Sequence, residues 1–232
     1  MKQTTYSEQV ILLLKILPFV AEHKQFALKG GTAINFYELD MPRLSVDIDL
    51  VYIPIQTRKE TLSNISDAFQ LISKTIKDKL GLTIEEEKYD KTGYVIKLNV
   101  LSNNVRVKIE VSPTMRGICY PIRVMVPSDF VQSRFLTSVK IQVISYEELY
   151  AGKIAAALAR QHPRDLFDIK MLFENGGVTS KMMDALIVDI SSNAKSMSDL
   201  LDPIHQDFKK AFISKFTGMP IVNVTVEDLE EA

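Results

Sequence analysis

The chain has 232 residues, of which 46% are hydrophobic and 25% are charged, a composition typical of a soluble globular protein with one or two domains. Lys and Arg total 28 against 29 Asp and Glu, so the net charge does not indicate a general attraction to nucleic acid. A single cysteine, Cys119, excludes an internal disulfide and is typical of a reducing compartment, so a cytoplasmic location is expected.

The first quarter of the chain is predicted to alternate helices and strands. Residues 6–22 carry a helical apolar stripe. Its most apolar part is far shorter than the roughly 20 residues of a membrane span, so no membrane partner is expected. Residues 26–28 are predicted to form a buried strand, and residues 32–37 a short helix. Residues 46–52 alternate carboxylate with aliphatic side chains, which is the periodicity of a strand.

A long helix and a β-rich stretch are predicted next. Thr57 and Glu60 have the spacing of a capping box, and Gly81 stands where helices favour a left-handed C-terminal residue. Strands are predicted at 82–87, 94–101 and 105–111, with a hairpin turn at Ser102-Asn103-Asn104, and then at 122–126 and 139–144.

The pattern changes to helix from Ser145 onward. Ser145 and Glu148 form a second capping-box sequence, and Pro163 interrupts the helix that follows. Further helices are predicted at 164–174, 181–190 and 199–216. We therefore expect an α/β domain over residues 1–144 and a helical C-terminal domain over residues 145–232.

Two aspartates on the predicted strand 46–52 are candidate metal ligands. Asp47 and Asp49 are two residues apart, so both side chains project to the same face of the strand. A carboxylate pair of this kind binds Mg²⁺ jointly, and two metal ions can hold the attacking and leaving oxygens of phosphoryl transfer. Taken alone, an Asp-x-Asp pair is as often a solvated strand end.

Two further elements belong to the same hypothesis. The Gly30-Gly31-Thr32 turn lies between a strand and a helix, where glycines and free N–H groups favour a phosphate, although an ordinary turn is the commoner use of Gly-Gly. Glu110 shares one face of its strand with Arg106 and Lys108, and a neighbouring strand position would bring its carboxylate to the metal ions. Such alternating charge also occurs on solvated hairpins.

Four motifs together resemble those of the AbiEii/AbiGii toxin family, within the DNA polymerase beta-like nucleotidyltransferase superfamily. They are Gly30-Gly31-Thr32-Ala33 with the later Arg43 to Leu50, Lys108-Ile109-Glu110, Glu148 to Lys153, and Arg164-Asp165 to Asp168. The resemblance implies an α+β fold, in which a nucleotidyltransferase-like mixed sheet flanked by helices precedes a helical part. Their joint occurrence in this order is more specific than any single motif.

The resemblance also implies roles for individual residues. Asp47, Asp49 and Glu110 would hold two Mg²⁺ ions, with Mn²⁺ as the alternative, and Asp47, Asp49, Lys153 and Asp165 would be catalytic. Nucleotide contacts are expected from Gly30, Gly31, Thr32, Arg43, Ser45, Lys153 and Arg164. From residue type, a lysine neutralises phosphate charge, while an aspartate holds that lysine or accepts a proton.

The expected function is metal-dependent transfer of a nucleoside monophosphate from an NTP to an acceptor. The resemblance implies tRNA as the acceptor, a type IV toxin-antitoxin or phage-defence role, and a cognate antitoxin encoded nearby. Three alternatives stay open: a small-molecule nucleotidyltransferase of the aminoglycoside-modifying kind, a non-catalytic nucleotide-binding module, and a metal-dependent nuclease, in which the glycine turn has no obvious task.

Overall fold

A computed structural model describes residues 2–193 and 195–231 of the chain. The chain divides into two compact units, Met1–Ile144 and Ser145–Ala232. None of the described helices combines the length with the apolar character that a bilayer crossing requires.

The first unit is built on a mixed sheet of seven strands, as the predicted fold class requires. Its strands are β1 (Phe26–Lys29), β2 (Asp47–Tyr52), β3 (Thr83–Lys88), β4 (Val95–Ser102), β5 (Val105–Arg116), β6 (Arg123–Met125) and β7 (Ile141–Val143). They lie in the order β3-β4-β5-β2-β1-β7-β6. The β1–β7 and β2–β5 pairs are parallel, and the other pairs are antiparallel.

Within the described residues, four helices belong to the first unit. They are α1 (Lys2–Ala21), α2 (Gly30–Ala33), which continues as a π-helical turn (Ile34–Glu38), α3 (Arg58–Leu80) and α4 (Asp129–Phe135), and a short 3₁₀ turn (Asp90–Thr92) precedes β4. The capping box predicted for α3 is confirmed, since the Thr57 side chain accepts from the backbone of Glu60 and Glu60 bonds back to Thr57. Gly81 ends this helix with φ +64°, the left-handed conformation predicted for it.

The sheet buries one face beneath α1 and α3. Ile48, Leu98 and Ile109 pair across adjacent strands and are fully buried together with Phe69 of α3. Each such side chain contributes about 1.5–3 kcal/mol by leaving water. Because side chains alternate along a strand, this buried row directs the residues on either side of Ile48, which are Asp47 and Asp49, to the opposite face.

The second unit is helical. It contains α5 (Tyr146–Arg160), α6 (Pro163–Glu174), α7 (Ser180–Ser191), α8 (Met197–Leu201), α9 (Lys209–Ala211), which continues as a π-helical turn (Phe212–Phe216), and α10 (Val226–Glu230). Ser145 caps α5 by accepting from the backbone N–H of Glu148 at 3.1 Å.

The continuous helix predicted over residues 199–216 is wrong. Instead, α8 ends at Leu201, and helix resumes only at Lys209. Pro203 has no N–H to donate and disfavours a helical conformation in the residue before it. The side-chain amide of Gln161 then binds the extended segment, donating to Ile204 O at 2.9 Å and accepting from Gln206 N at 2.8 Å.

Candidate active site

Strand β2 presents Asp47 and Asp49 on the sheet face opposite α1 and α3, and each is half-buried. The parallel strand β5 aligns Lys108 with Asp47 and Glu110 with Asp49. Residues aligned in this way project to the same face of a sheet. The structure therefore places the three carboxylates that the sequence proposed as metal ligands on one face of the sheet.

Lysines contact the carboxylate of Glu110. The Nζ of Lys108 lies 2.7 Å from Oε1 of Glu110, and the Nζ of Lys97 on β4 lies 3.9 Å from Oε2. Burial lowers the pKa of Lys108, but its hydrogen bond to Glu110 and the charge of Asp47 outweigh burial, so the net shift is upward. The alternation of Lys108 with Glu110 had signalled their shared face, whereas the position of Lys97 depends on strand pairing.

Crowding of negative charge acts on Asp49. Burial, the charge of Asp47 and the charge of Glu110 raise the pKa of Asp49 to about 6, with Lys108 and Lys29 acting in the opposite direction. An opposite charge nearby favours the ionised carboxylate. A divalent cation bound here would therefore relieve the like-charge repulsion.

Gly30 allows the glycine turn to approach Asp49. A β-carbon on Gly30 would lie 2.4 Å from Oδ2 of Asp49 and 3.0 Å from its Cβ. Gly30 also has φ +70°, a conformation that disfavours any residue with a β-carbon. The close approach of turn and carboxylate thus requires glycine at this position.

The other residues of the first motif are buried behind this contact. Thr32 is fully buried, and its hydroxyl donates to Asp47 O at 2.5 Å and lies 3.0 Å from Ser45 Oγ. A β-carbon on Gly31 would lie 2.7 Å from a guanidinium nitrogen of the buried Arg43. These contacts fix the turn against β2, so a positioning role for Thr32, Arg43 and Ser45 has more structural support than direct contact with a nucleotide.

The carboxylates suit a metal ion that takes part of its ligands from outside the protein. In residues 2–193 and 195–231, no set of three or more Asp, Glu, His or Cys side chains converges closely enough to chelate an ion. Glu110 is held by its lysine contacts, so Asp47 and Asp49 are the better candidates for direct metal ligands. Mg²⁺ typically takes one or two protein carboxylates together with substrate phosphates, and Asp47 and Asp49 suit that coordination.

A second charged cluster lies within the helical unit, where Lys153 of α5 is buried among carboxylates. Its Nζ is 2.9 Å from Oδ1 of Asp165 and 3.0 Å from Oδ2 of Asp168, both on α6. Arg160 donates to Asp165 through Nε at 2.6 Å. Burial raises the pKa of Asp165, but the charges of Lys153 and Arg160 lower that pKa by a larger amount. The net shift is downward, so Asp165 is ionised at neutral pH.

The sequence identified only part of this cluster. Lys153 and Asp165 were candidate catalytic residues, while Asp168 and Arg160 had no assigned role. The signal for Asp168 was its three-residue spacing from Asp165, which places both on one side of a helix. Arg164 is half-buried, and its backbone N–H donates to Nδ1 of His162 at 3.2 Å, so His162 caps α6.

Comparison with known proteins identifies relatives by sequence and by structure. The family model "Nucleotidyl transferase AbiEii toxin, Type IV TA system" matches residues 11–228, nearly the whole chain. Among curated proteins, no significant match was found.

Several solved structures match, among them the following two. MenT4, a nucleotidyltransferase toxin from Mycobacterium tuberculosis H37Rv, superposes with a TM-score of 0.60 at 14% identity, over 79% of this chain and 64% of that chain. An antigenic nucleotidyltransferase-like protein from Paracoccidioides brasiliensis gives a TM-score of 0.40 at 15% identity, over 84% of this chain and 93% of that chain. The likeness to MenT4 supports the fold, and the chain spans less than two thirds of the length of MenT4.

Proposed function

We propose that this chain, which belongs to the AbiEii nucleotidyl transferase toxin family of type IV toxin-antitoxin systems, transfers a nucleoside monophosphate from an NTP to a hydroxyl acceptor. The observation that carries the proposal is the shared face of Asp47 and Asp49, beside Glu110 and in contact range of Gly30. A glycine turn next to a carboxylate pair suits a metal-bound triphosphate.

Asp47 and Asp49 would hold Mg²⁺, or Mn²⁺ in its place, with Glu110 completing the set when two ions bind. When bound, the metal would neutralise charge on the phosphate oxygens and would lower the pKa of an acceptor hydroxyl that it contacts. Gly30 keeps room for the carboxylate of Asp49, and the buried contacts of Thr32 hold the turn in register with β2.

The reaction is a displacement at the α-phosphorus. The acceptor oxygen forms a bond to that phosphorus, the bond to the bridging oxygen breaks, and pyrophosphate leaves. The proton of the acceptor hydroxyl passes to a nearby carboxylate or to water. Lys153, Asp165 and Arg164 remain predicted contributors to catalysis and nucleotide binding, on the strength of their motifs.

We propose tRNA as the acceptor, an acceptor class that the family resemblance implies, with a cognate antitoxin as the genetic partner. The near-neutral charge of the chain gives no preference between tRNA and a small molecule, so the acceptor is a matter for experiment. The protein would be incubated with each [α-³²P]NTP, Mg²⁺, and either total tRNA or an aminoglycoside panel. Labelled tRNA supports the proposal, and labelled aminoglycoside favours the small-molecule alternative.

A matched incubation with [γ-³²P]NTP separates two kinds of transfer. Label from the α-position alone identifies nucleotidyl transfer, because the γ-phosphate leaves with pyrophosphate. Label from the γ-position would identify a kinase reaction and contradict the proposal. Shortened tRNA without label would favour the nuclease alternative, and NTP binding without any product would favour the binding module.

A further inference from the structure

A row of four charged side chains crosses the sheet at the candidate metal site. Strand pairing sets Lys29 opposite Asp49, Asp49 beside Glu110, and Glu110 opposite Lys97. Directly paired residues of adjacent strands project to the same face. The charged row, defined as Lys29, Asp49, Glu110 and Lys97, therefore has a lysine at each end and two carboxylates in the middle.

A cavity of about 320 Å³ lies along the charged row and is lined by all four of its residues. Ser112 and Pro113, where β5 loses its regular pairing with β2, form part of the same lining. Its volume is at the lower end of the range for small-molecule sites. The cavity thus borders both the proposed metal ligands and the two terminal lysines.

Both terminal lysines keep hydrogen-bond donors for a ligand. Across the part of the chain that the structure describes, the Lys29 ammonium group has no hydrogen bond or ion pair. Lys97 lies 3.1 Å from Oε2 of Glu87 and 3.9 Å from Oε2 of Glu110. An ammonium group has three N–H donors and no acceptor, so each lysine can still bind an anionic oxygen.

Lysines offset part of the negative charge at the site. The carboxylates of Asp47, Asp49 and Glu110 lie beside the ammonium groups of Lys29, Lys97 and Lys108, and Lys97 also contacts Glu87. The carboxylates attract a divalent ion, while the three ammonium groups weaken that attraction. A triphosphate entering with the ions would pair with the ammonium groups and supply further oxygen ligands to the metal.

We propose that Lys29 and Lys97 bind the polyphosphate of the NTP at the two ends of the charged row, and that they make metal binding dependent on nucleotide binding. The proposal rests on the nucleotidyltransferase function proposed above and extends it to two residues outside the predicted site. Each lysine would contact non-bridging phosphate oxygens through charge-assisted hydrogen bonds. The carboxylates between them would hold the metal ion.

The test measures protein-bound Mn²⁺ by equilibrium dialysis, which does not count Mn²⁺ chelated by free nucleotide, without nucleotide and with non-hydrolysable α,β-methylene analogues of the four NTPs. The full-length wild type is compared with Lys29→Met and Lys97→Met. Lys77→Met is the matched control, because it removes a lysine that lies away from the charged row. Lys77 pairs with Glu86 at 3.4 Å, and Glu86 is aligned with Leu98, whose side chain lies on the buried face of the sheet. Lys29→Arg and Lys97→Arg retain the charge.

We expect the wild type to bind Mn²⁺ at least about tenfold more tightly with one of the analogues, because the phosphates add oxygen ligands. Each methionine variant should bind that analogue about tenfold more weakly, as expected for one lost charge-assisted contact. Mn²⁺ binding without nucleotide should be unchanged or tighter in these variants. The arginine variants should retain most of the affinity, and Lys77→Met should match the wild type.

The outcomes separate this inference from the proposed function. If the wild type binds a Mn²⁺–analogue complex and both methionine variants bind it equally well, the lysine assignment is overturned while the function stands. If the wild type binds none of the four complexes, both are overturned. A fall in affinity that also appears in Lys77→Met would reflect total charge and would reject the lysine assignment.

Discussion

Gly30 and Asp49 are so close that a single β-carbon on the glycine would lie 2.4 Å from Oδ2 of the aspartate. The glycine also has φ +70°. A substitution at Gly30 therefore acts on the candidate site in two ways: it strains the turn, and it displaces a proposed metal ligand.

Gly30→Ala is expected to reduce nucleotidyl transfer by about 100-fold or more, since small displacements of reacting groups cost that much. The strained backbone should also lower the free energy of unfolding by about 1–2 kcal/mol. Transfer assays and urea denaturation measure the two effects. Gly81→Ala is the control, because Gly81 has φ +64° but no side chain or backbone near its β-position. Equal transfer rates in both variants would contradict the close-approach argument.

Lys153→Met is expected to destabilise the protein by about 3–5 kcal/mol, because it removes the buried ammonium group that lies between two buried carboxylates. Asp168 is fully buried, and its Oδ2 lies 3.0 Å from the lysine. Urea denaturation monitored by circular dichroism gives the value. Lys170→Met, which removes an i,i+4 partner of Glu174 at the surface, should change stability little. Wild-type stability in Lys153→Met would show that the cluster has no structural role.

Local sequence patterns predicted the parts of the fold that local chemistry determines. The α3 capping box, the left-handed Gly81 and the shared face of Asp47 and Asp49 each depend on residues a few positions apart. The alternating pattern also predicted the strand that carries Glu110, and the family motifs added its proposed role as a metal ligand. Register between β2 and β5 then aligned Glu110 with Asp49, a result that the alternation within each strand permits but does not determine.

Long-range contacts account for what the sequence did not predict. Lys29 and Lys97 join the charged row only because the strands lie in the order β4-β5-β2-β1. The residues next to each lysine in the sequence do not predict that order. The extended segment after Pro203 is held by Gln161, more than forty positions earlier in the chain. Burial of Thr32 behind Asp47 likewise follows from tertiary packing. Because the sequence does not show this packing, Thr32 had been predicted to contact the nucleotide.

The segment that follows α8 offers a test of that long-range contact. Gln161→Ala removes both hydrogen bonds from its side-chain amide to the backbone of Ile204 and Gln206. The amide proton of Gln206 should then exchange with solvent about tenfold faster, since losing one such bond costs about 1.4 kcal/mol. Leu200, whose N–H donates to Ser196 O, is the internal reference. Unchanged exchange at Gln206 would show that Gln161 does not hold the segment.

His162 should make stability depend on pH. Burial and the charge of Arg164 lower the pKa of His162 to about 4, and its Nδ1 must be unprotonated to accept from Arg164 N. The unfolded chain, with a histidine pKa near 6.5, therefore binds the proton more readily than the folded protein. The contribution of the neutral His162 side chain to the free energy of unfolding is complete above about pH 6.5 and is lost as pH falls toward 4.

His162→Asn isolates this effect, because asparagine also caps helices but does not titrate. Between pH 6.5 and pH 4 the wild type should lose about 1–2 kcal/mol more unfolding free energy than the variant, after allowance for solvent screening at a half-buried site. Chemical denaturation at several pH values provides the comparison. Parallel pH profiles for the two proteins would rule out the capping histidine as the cause.

The claim that β2 carries the metal-binding carboxylates of a nucleotidyltransferase is tested most directly by Asp49→Asn. The substitution keeps the size of the side chain but removes a charge that a divalent ion needs. The measurement is incorporation of label from [α-³²P]NTP into acceptor by the wild type, Asp49→Asn and Asp67→Asn, an exposed control on α3. We predict incorporation below about 1% of wild type in Asp49→Asn and unchanged incorporation in Asp67→Asn. Full incorporation by a folded Asp49→Asn protein would contradict the account.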